Sequence, residues 1–220
     1  MSAAALLLLA DGRFPAGGHA HSGGAEAAVR AGRIHDAATL AEFCRSRLHT
    51  AGLTAAALSA AAAAGHDPLA LDEAADARTP SPVLRRTARR LGRQLMRAAR
   101  ATWPGPELDA LAGARPKGAH QPVVLGLTAR SAGLTPLDAA QAAAYESVSG
   151  PATAVIRLLS LDPFDATAVL ARLAAETDEV ARQAEAASRG AVADLPAASA
   201  PLLDITAEQH ATWPVRLFAS

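Results

Sequence analysis

Cysteine, lysine and aromatic side chains are nearly missing from this chain. Among 220 residues there is one cysteine (Cys44), one lysine (Lys117), and four Phe, two Trp and one Tyr. A single cysteine excludes an internal disulfide and a multi-cysteine zinc site, and it fits a reducing, cytoplasmic setting. Its place in Ala41-Glu42-Phe43-Cys44-Arg45 reads as a small buried hydrophobe rather than a reactive thiol. The shortage of β-branched and aromatic residues argues against strands. An excess of charge of either sign is also lacking: 21 basic residues balance 21 acidic ones. No global field therefore steers the protein to nucleic acid or to an anionic membrane. Long apolar runs are missing as well. Ala3 to Ala10 stops at Asp11 with no basic residue before it, too short for a membrane span and without the start of a secretory signal.

What is present is alanine, in a chain half apolar by count. Alanine favours helix and fills little volume, so the composition predicts an all-α fold of closely packed helices. One domain is the default at this length. The expected architecture is a single-domain bundle of about seven to ten helices with an extended C-terminal tail. Along the chain this gives a docked N-terminal segment over 1–23, a helical core over 24–189 and a tail over 190–220.

Local signals divide the core. A short helix over 24–31 closes at Gly32, and Asp36 caps a helix that Gly52 breaks or kinks. The nearly uncharged stretch 53–64 reads as buried on most sides. The acidic stretch 67–76 reads as a solvated surface helix. Ser81-Pro82 opens an amphipathic helix to about residue 101. Leu84, Ala88, Leu91, Leu95 and Ala98 line one side of it, while Arg85, Arg86, Arg89, Arg90, Arg93, Arg97 and Arg100 fill an arc of roughly 140°. Three readings of this basic face stand open: a solvated surface partly paired with 67–76, a protein contact, or a nucleic-acid contact. A loop holds Trp103-Pro104-Gly105-Pro106, and a helix follows over 120–132. Thr135 to Asp138 starts a helix that Pro151 should kink. Its apolar seam is Tyr145, Val148, Ala152, Val155 and Leu159. Asp162-Pro163 opens the last long helix, to about Arg189.

The chain ends carry the least ordinary sequence. Residues 17–24 hold four glycines around His19-Ala20-His21-Ser22. Two imidazoles can meet a transition metal, but two ligands do not make a tight site, and no adjoining Cys, Asp or Glu pattern completes four. The metal reading gains weight only if two copies meet across a dimer axis. The glycines do not form a phosphate loop, because no G-x-x-x-x-G-K-[ST] is present, and no strand precedes them as a dinucleotide fingerprint requires. A tight turn is the plainer reading. Ser22 has no G-x-S-x-G frame, and no catalytic constellation emerges. At the other end Trp213, Leu217 and Phe218 are too apolar for a free tail.

Taken in order, these pieces resemble the urease accessory protein UreF family. Pro15, Gly17, His21, Ser22, Gly24 and Glu26 match its opening P-x-G-x-x-x-H/W-S-x-G-L-E pattern. Arg89-Arg90-Leu91-Gly92 matches its R-x-x-G element, and His120, Val123 and Gly126 match a loosely spaced H-x-x-V-x-G. Arg157-Leu158 follows in the kinked helix. Asp204-Ile205, His210 and Arg216-Leu217-Phe218-Ala219-Ser220 match the closing D-I-x-x-x-x-H-E and R-L-F-R-S. Ala25, Ala211 and Ala219 stand where the family has leucine, glutamate and arginine.

The resemblance implies a non-catalytic, cytoplasmic, all-helical chaperone that forms a homodimer. It implies a bridge between a UreD/UreH-like protein and the GTPase UreG in the complex that inserts nickel into apo-urease. GTP hydrolysis would belong to UreG, and no cofactor would be tightly bound, with nickel at most in transit. It places Arg216, Leu217, Phe218 and Ser220 at the UreD contact and Arg157 near the UreG contact. An alternative is a metallochaperone that carries nickel itself through His19 and His21. Neither nucleic acid nor membrane is an expected partner.

Overall fold

The computed structural model describes residues 3–219, and all regular structure among them is helical. The N-terminal part holds α1 (Ala3–Ala10), a glycine-rich loop with one 3₁₀ turn over Gly18–Ala20, and α2 (Ala25–Arg30). Next comes α3 (Ala37–Arg47), opened by a reciprocal capping box between Asp36 and Thr39. It passes through a π turn at Leu48–Gly52 into α4 (Leu53–Ala64). The expected break at Gly52 is therefore a local widening of a continuous helical path. Then follow α5 (Pro68–Ala77), α6 (Pro82–Thr102), α7 (Pro106–Ala114), α8 (Gln121–Ser131), α9 (Pro136–Leu159), α10 (Pro163–Ala187) and α11 (Pro201–Ala211).

Helix α4 is the centre, packed by α8, α9 and α10. Ala56, Ala57, Leu58 and Ser59 through Ala63 are all buried, and such small side chains let the neighbouring axes come close. At Gly126 of α8 a Cβ would stand 2.1 Å from the carbonyl oxygen of Ser59, so the α4–α8 crossing requires glycine. Gly92 of α6 meets the same condition against the Ala119 carbonyl, at 2.0 Å. Two glycines first noted as motif letters are thus contact points between backbones.

Helix α9 runs on through Pro151. Proline has no N–H to give the carbonyl four residues back, which is that of Ser147. Arg47 Nε fills the vacancy, donating to Ser147 O at 2.9 Å, and the Cys44 thiol points at the Val148 carbonyl at 3.7 Å. Burial pushes the Cys44 thiol up to about 12, in keeping with a packed rather than reactive sulfur.

Three expectations change. Helix α5 is not merely solvated: Asp72 is fully buried and accepts from Arg89 Nη1 (3.0 Å), Arg115 Nε (2.8 Å) and the His120 amide (2.8 Å). A buried carboxylate persists because three donors surround it. Helix α7 starts at the last residue of the loop read over 103–106 and fills a stretch left unassigned, and α11 lies in the stretch read as tail; Pro106 and Pro201 sit at first-turn positions where proline is well tolerated. Tyr145 leaves the apolar seam of α9, 42% exposed, while Val148, Ala152 and Val155 are buried as expected.

Candidate functional site

The two chain ends meet. Helix α11 docks on the start of α6 through carboxylates: Asp204 Oδ1 accepts from the Ser81 amide at 3.1 Å, and Glu208 Oε1 accepts from the Val83 amide at 2.9 Å and from the Ser81 hydroxyl. Anionic side chains suit a helix N-terminus, where amides lack intrahelical partners. The far side of α11 stays apolar and open, with Leu202 at 53% and Ile205 at 55% exposure.

Beyond α11 the chain forms a strap over 212–219, tied to α2 by one carboxylate. Glu26, with its side chain 10% exposed, accepts from His210 Nε2 (2.8 Å), the Leu217 amide (2.8 Å) and the Phe218 amide (3.1 Å). Its own amide donates to Ser22 Oγ at 3.3 Å, and the Ala219 amide donates to the Ala20 carbonyl at 2.8 Å. Burial pushes the Glu26 carboxyl up. The hydrogen bonds from Leu217, His210 and Phe218 outweigh that effect and hold it below the ordinary glutamate value. Trp213 packs against His210 at 4.7 Å between centroids and lies under the Arg30 guanidinium at 4.2 Å.

This geometry sorts the residues that the sequence singled out. Phe218 is buried within its own chain, with Arg157 above its ring at 5.7 Å. Leu217 and Val215 point outward, 73% and 77% exposed. Arg157 and Arg216, assigned by resemblance to two different contacts, line one shallow bowl of ≈ 560 Å³ together with His19, Ala20, Leu217 and Phe218. Neither arginine has a carboxylate partner among the described residues. Ser220 lies outside the described residues.

Behind the strap and the glycine loop lies a larger cavity of ≈ 610 Å³, bounded by parts of α1, α2, α4, α6, α8, α9 and α11. His19, His21, Gln121, Tyr145, Glu146 and Arg47 reach it. Glu146 lines this partly open space with an exposed side chain; the protein crowded around it raises its carboxyl, against the hydrogen bond it accepts from Gln121 Nε2 at 2.7 Å. His21 is drawn down to about 4 by burial, then by the charge of Arg90 and the proximity of His19, so its imidazole is neutral at pH 7. Among the described residues no three His, Cys, Asp or Glu side chains are gathered as a metal site.

Reading the residues alone noted Glu26 and His210 as motif letters but missed that they meet. The available signal was a lone glutamate between alanines in Ala25-Glu26-Ala27-Ala28, a position that asks for a buried partner. Arg47 and Glu146 gave no such signal, because their roles depend on Pro151 and on a cavity that only the fold assembles.

No helix among the described residues is long and apolar enough to cross a membrane. The UreF family model matches residues 34–174. The chain is 45% identical over 223 residues to urease accessory protein UreF of Mycolicibacterium vanbaalenii, covering 100% of this chain and 99% of the relative. It is 43% identical to the protein of the same name from Mycobacterium marinum, covering 99% of this chain and 98% of the relative. For that of Mycobacterium tuberculosis the figures are 42%, 95% and 94%. The motifs at both ends, the helical bundle that brings them together and this end-to-end likeness have one conclusion: the chain belongs to the UreF family of urease accessory proteins.

Proposed function

We propose that this chain is a scaffold that bridges a UreD/UreH-like protein and the GTPase UreG, in the complex that inserts nickel into apo-urease. The observation that carries this reading is the strap. Its inner side is spent on Glu26, while Leu217, Arg216 and the outer side of α11 are left to solvent. An ordered apolar and basic edge of this kind is what a protein partner recognises, with arginine and large apolar side chains as anchors. Because Arg157 and Arg216 share one bowl, contacts with two partners would adjoin, and binding of one partner would alter the surface met by the other.

Nickel is cargo in this scheme and hydrolysis of GTP belongs to UreG. The cavity behind the strap offers His19, His21 and Glu146 as groups that a passing cation would meet. The protein acts as a homodimer in this reading, and it works in the cytoplasm.

Co-expression with a UreD homologue tests the scaffold role. The two proteins should co-purify, and deletion of Pro214 to Ser220 should weaken the pair. Retention of the UreD homologue by the deleted form would remove the strap from the mechanism. Nickel calorimetry on the isolated chain separates scaffold from carrier. Micromolar or weaker binding fits transit, while tight binding abolished by His21→Ala would establish a carrier.

A further inference from the structure

The strap does not use the arginine face of α6, which forms a second surface. Arg86, Arg90, Arg93, Arg97 and Arg100 follow one another at steps of four and three, and all five are exposed. At 1.5 Å per residue the row is about 21 Å long. The opposite side of the helix is fixed in the core by Gly92, Leu95, Met96 and Ala99. The arginines that turn inward have work within the fold: Arg89 joins Asp72 and Asp76, and Arg85 donates to the Thr79 and Pro80 carbonyls. The outward row has little. Among the described residues Arg100 alone in it is in ion-pair contact with a carboxylate, that of Asp109 at 2.6 Å, while Arg86 feels Glu208 only at longer range. Arg93 donates to the Lys117 carbonyl, and Arg90 Nη2 lies 3.5 Å from His21 Nε2. Arg97 has no acidic neighbour in contact among the described residues. Like charges at these spacings work against the helix that carries them.

We propose that this row is a docking surface for an acidic helical face of a partner protein, with carboxylates at matching four- and three-residue steps. Guanidinium forks pair with carboxylates in two-pronged fashion, and a straight row on a rigid helix presents them in register. Nucleic acid fits the surroundings less well. The chain is neutral overall, and Trp103 at the end of α6 is stacked on Phe14 (5.9 Å between centroids) rather than offered to bases. A membrane surface is disfavoured because the apolar side of α6 faces the core. The proposal rests on α6 alone and stands or falls independently of the strap.

The test uses the full chain and a synthetic helical peptide carrying glutamates at four- and three-residue steps. Fluorescence anisotropy is read at about 50 and about 300 mM salt. Binding should weaken with salt and fall at least about tenfold in the triple variant Arg86→Gln, Arg90→Gln, Arg97→Gln. The thermal midpoint of that variant should be unchanged or higher, because like-charge repulsion is relieved. The control Arg172→Gln, Arg182→Gln, Arg189→Gln removes three exposed arginines from α10 and the turn after it and should leave binding within about twofold. Three results would overturn the proposal. They are equal loss in the α10 control, equal binding of a scrambled peptide of the same composition, and tighter binding of a duplex DNA of about 20 base pairs.

Discussion

His210 Nε2 lies 2.8 Å from Glu26 Oε2, joining residues 184 positions apart in a buried pair. The same carboxylate accepts the amides of Leu217 and Phe218, so one side chain of α2 sets the path of the strap. Glu26→Gln keeps the size but puts a donor where acceptors are needed. It should destabilise the strap by about 1–3 kcal/mol, read as faster hydrogen exchange at the Leu217 and Phe218 amides with core amides unchanged. Protection equal to wild type at both amides would show that Glu26 does not hold the strap.

The Glu26 carboxyl titrates lower in the folded chain than its ordinary 4.5. Its charged form therefore adds stability that is fully present above that value and is lost as pH falls through the lower, folded one. Urea midpoints taken downward from about pH 6 should show an acid limb below about pH 4.5 that is shallower in Glu26→Gln. Identical limbs in the two proteins would contradict the assignment.

His21 gives a pH dependence of the same sign in a higher window. Unfolded, it takes a proton near 6.5; folded, not until about 4. Its contribution to stability should decline as pH drops from about 6.5 to about 4 and level off below. Replacing His21 by Gln should remove that decline, measured as the difference in urea midpoint between about pH 7 and about pH 5.

Arg47 and Pro151 are coupled through the Ser147 carbonyl. Arg47→Met leaves that acceptor without its donor and should destabilise the chain by about 1–3 kcal/mol. Pro151→Ala restores an N–H to the same carbonyl, so the loss should shrink in the double variant. A thermodynamic cycle with additive effects would show that the two do not share the acceptor.

Asp72 holds Arg89, Arg115 and the His120 amide together. Asp72→Asn removes the buried charge shared by Arg89 and Arg115, which keep Asp76 and Glu73 as partners, and should destabilise by about 1–3 kcal/mol, measured by urea unfolding. A change within about 0.5 kcal/mol would place this network among dispensable surface pairs.

Fold class was legible in the sequence because alanine content, Asp36 and Thr135 caps and first-turn prolines all favour helix locally. Helix α11 was not, because its stretch carries few strong signals and it is held by Asp204 and Glu208 on a distant helix end. The burial of Asp72 was hidden for the same reason: a charged residue reads as solvated unless its partners, here 17 and 43 residues away, are known to converge. At the candidate site the residues Glu26, His210, Arg157 and Arg216 were all picked out by motif. Their arrangement was not, and it moved Phe218 from an open anchor to a buried one and left Leu217 outside.

Under the proposed function, Glu26 orders the strap so that Arg216 and Leu217 face a UreD-like partner. Calorimetric affinity for a purified UreD homologue tests it, comparing wild type with Glu26→Gln and Leu217→Ala. Each variant should bind at least about tenfold more weakly, Leu217→Ala by lost contact and Glu26→Gln by lost order in the strap. Affinity unchanged in both would contradict it.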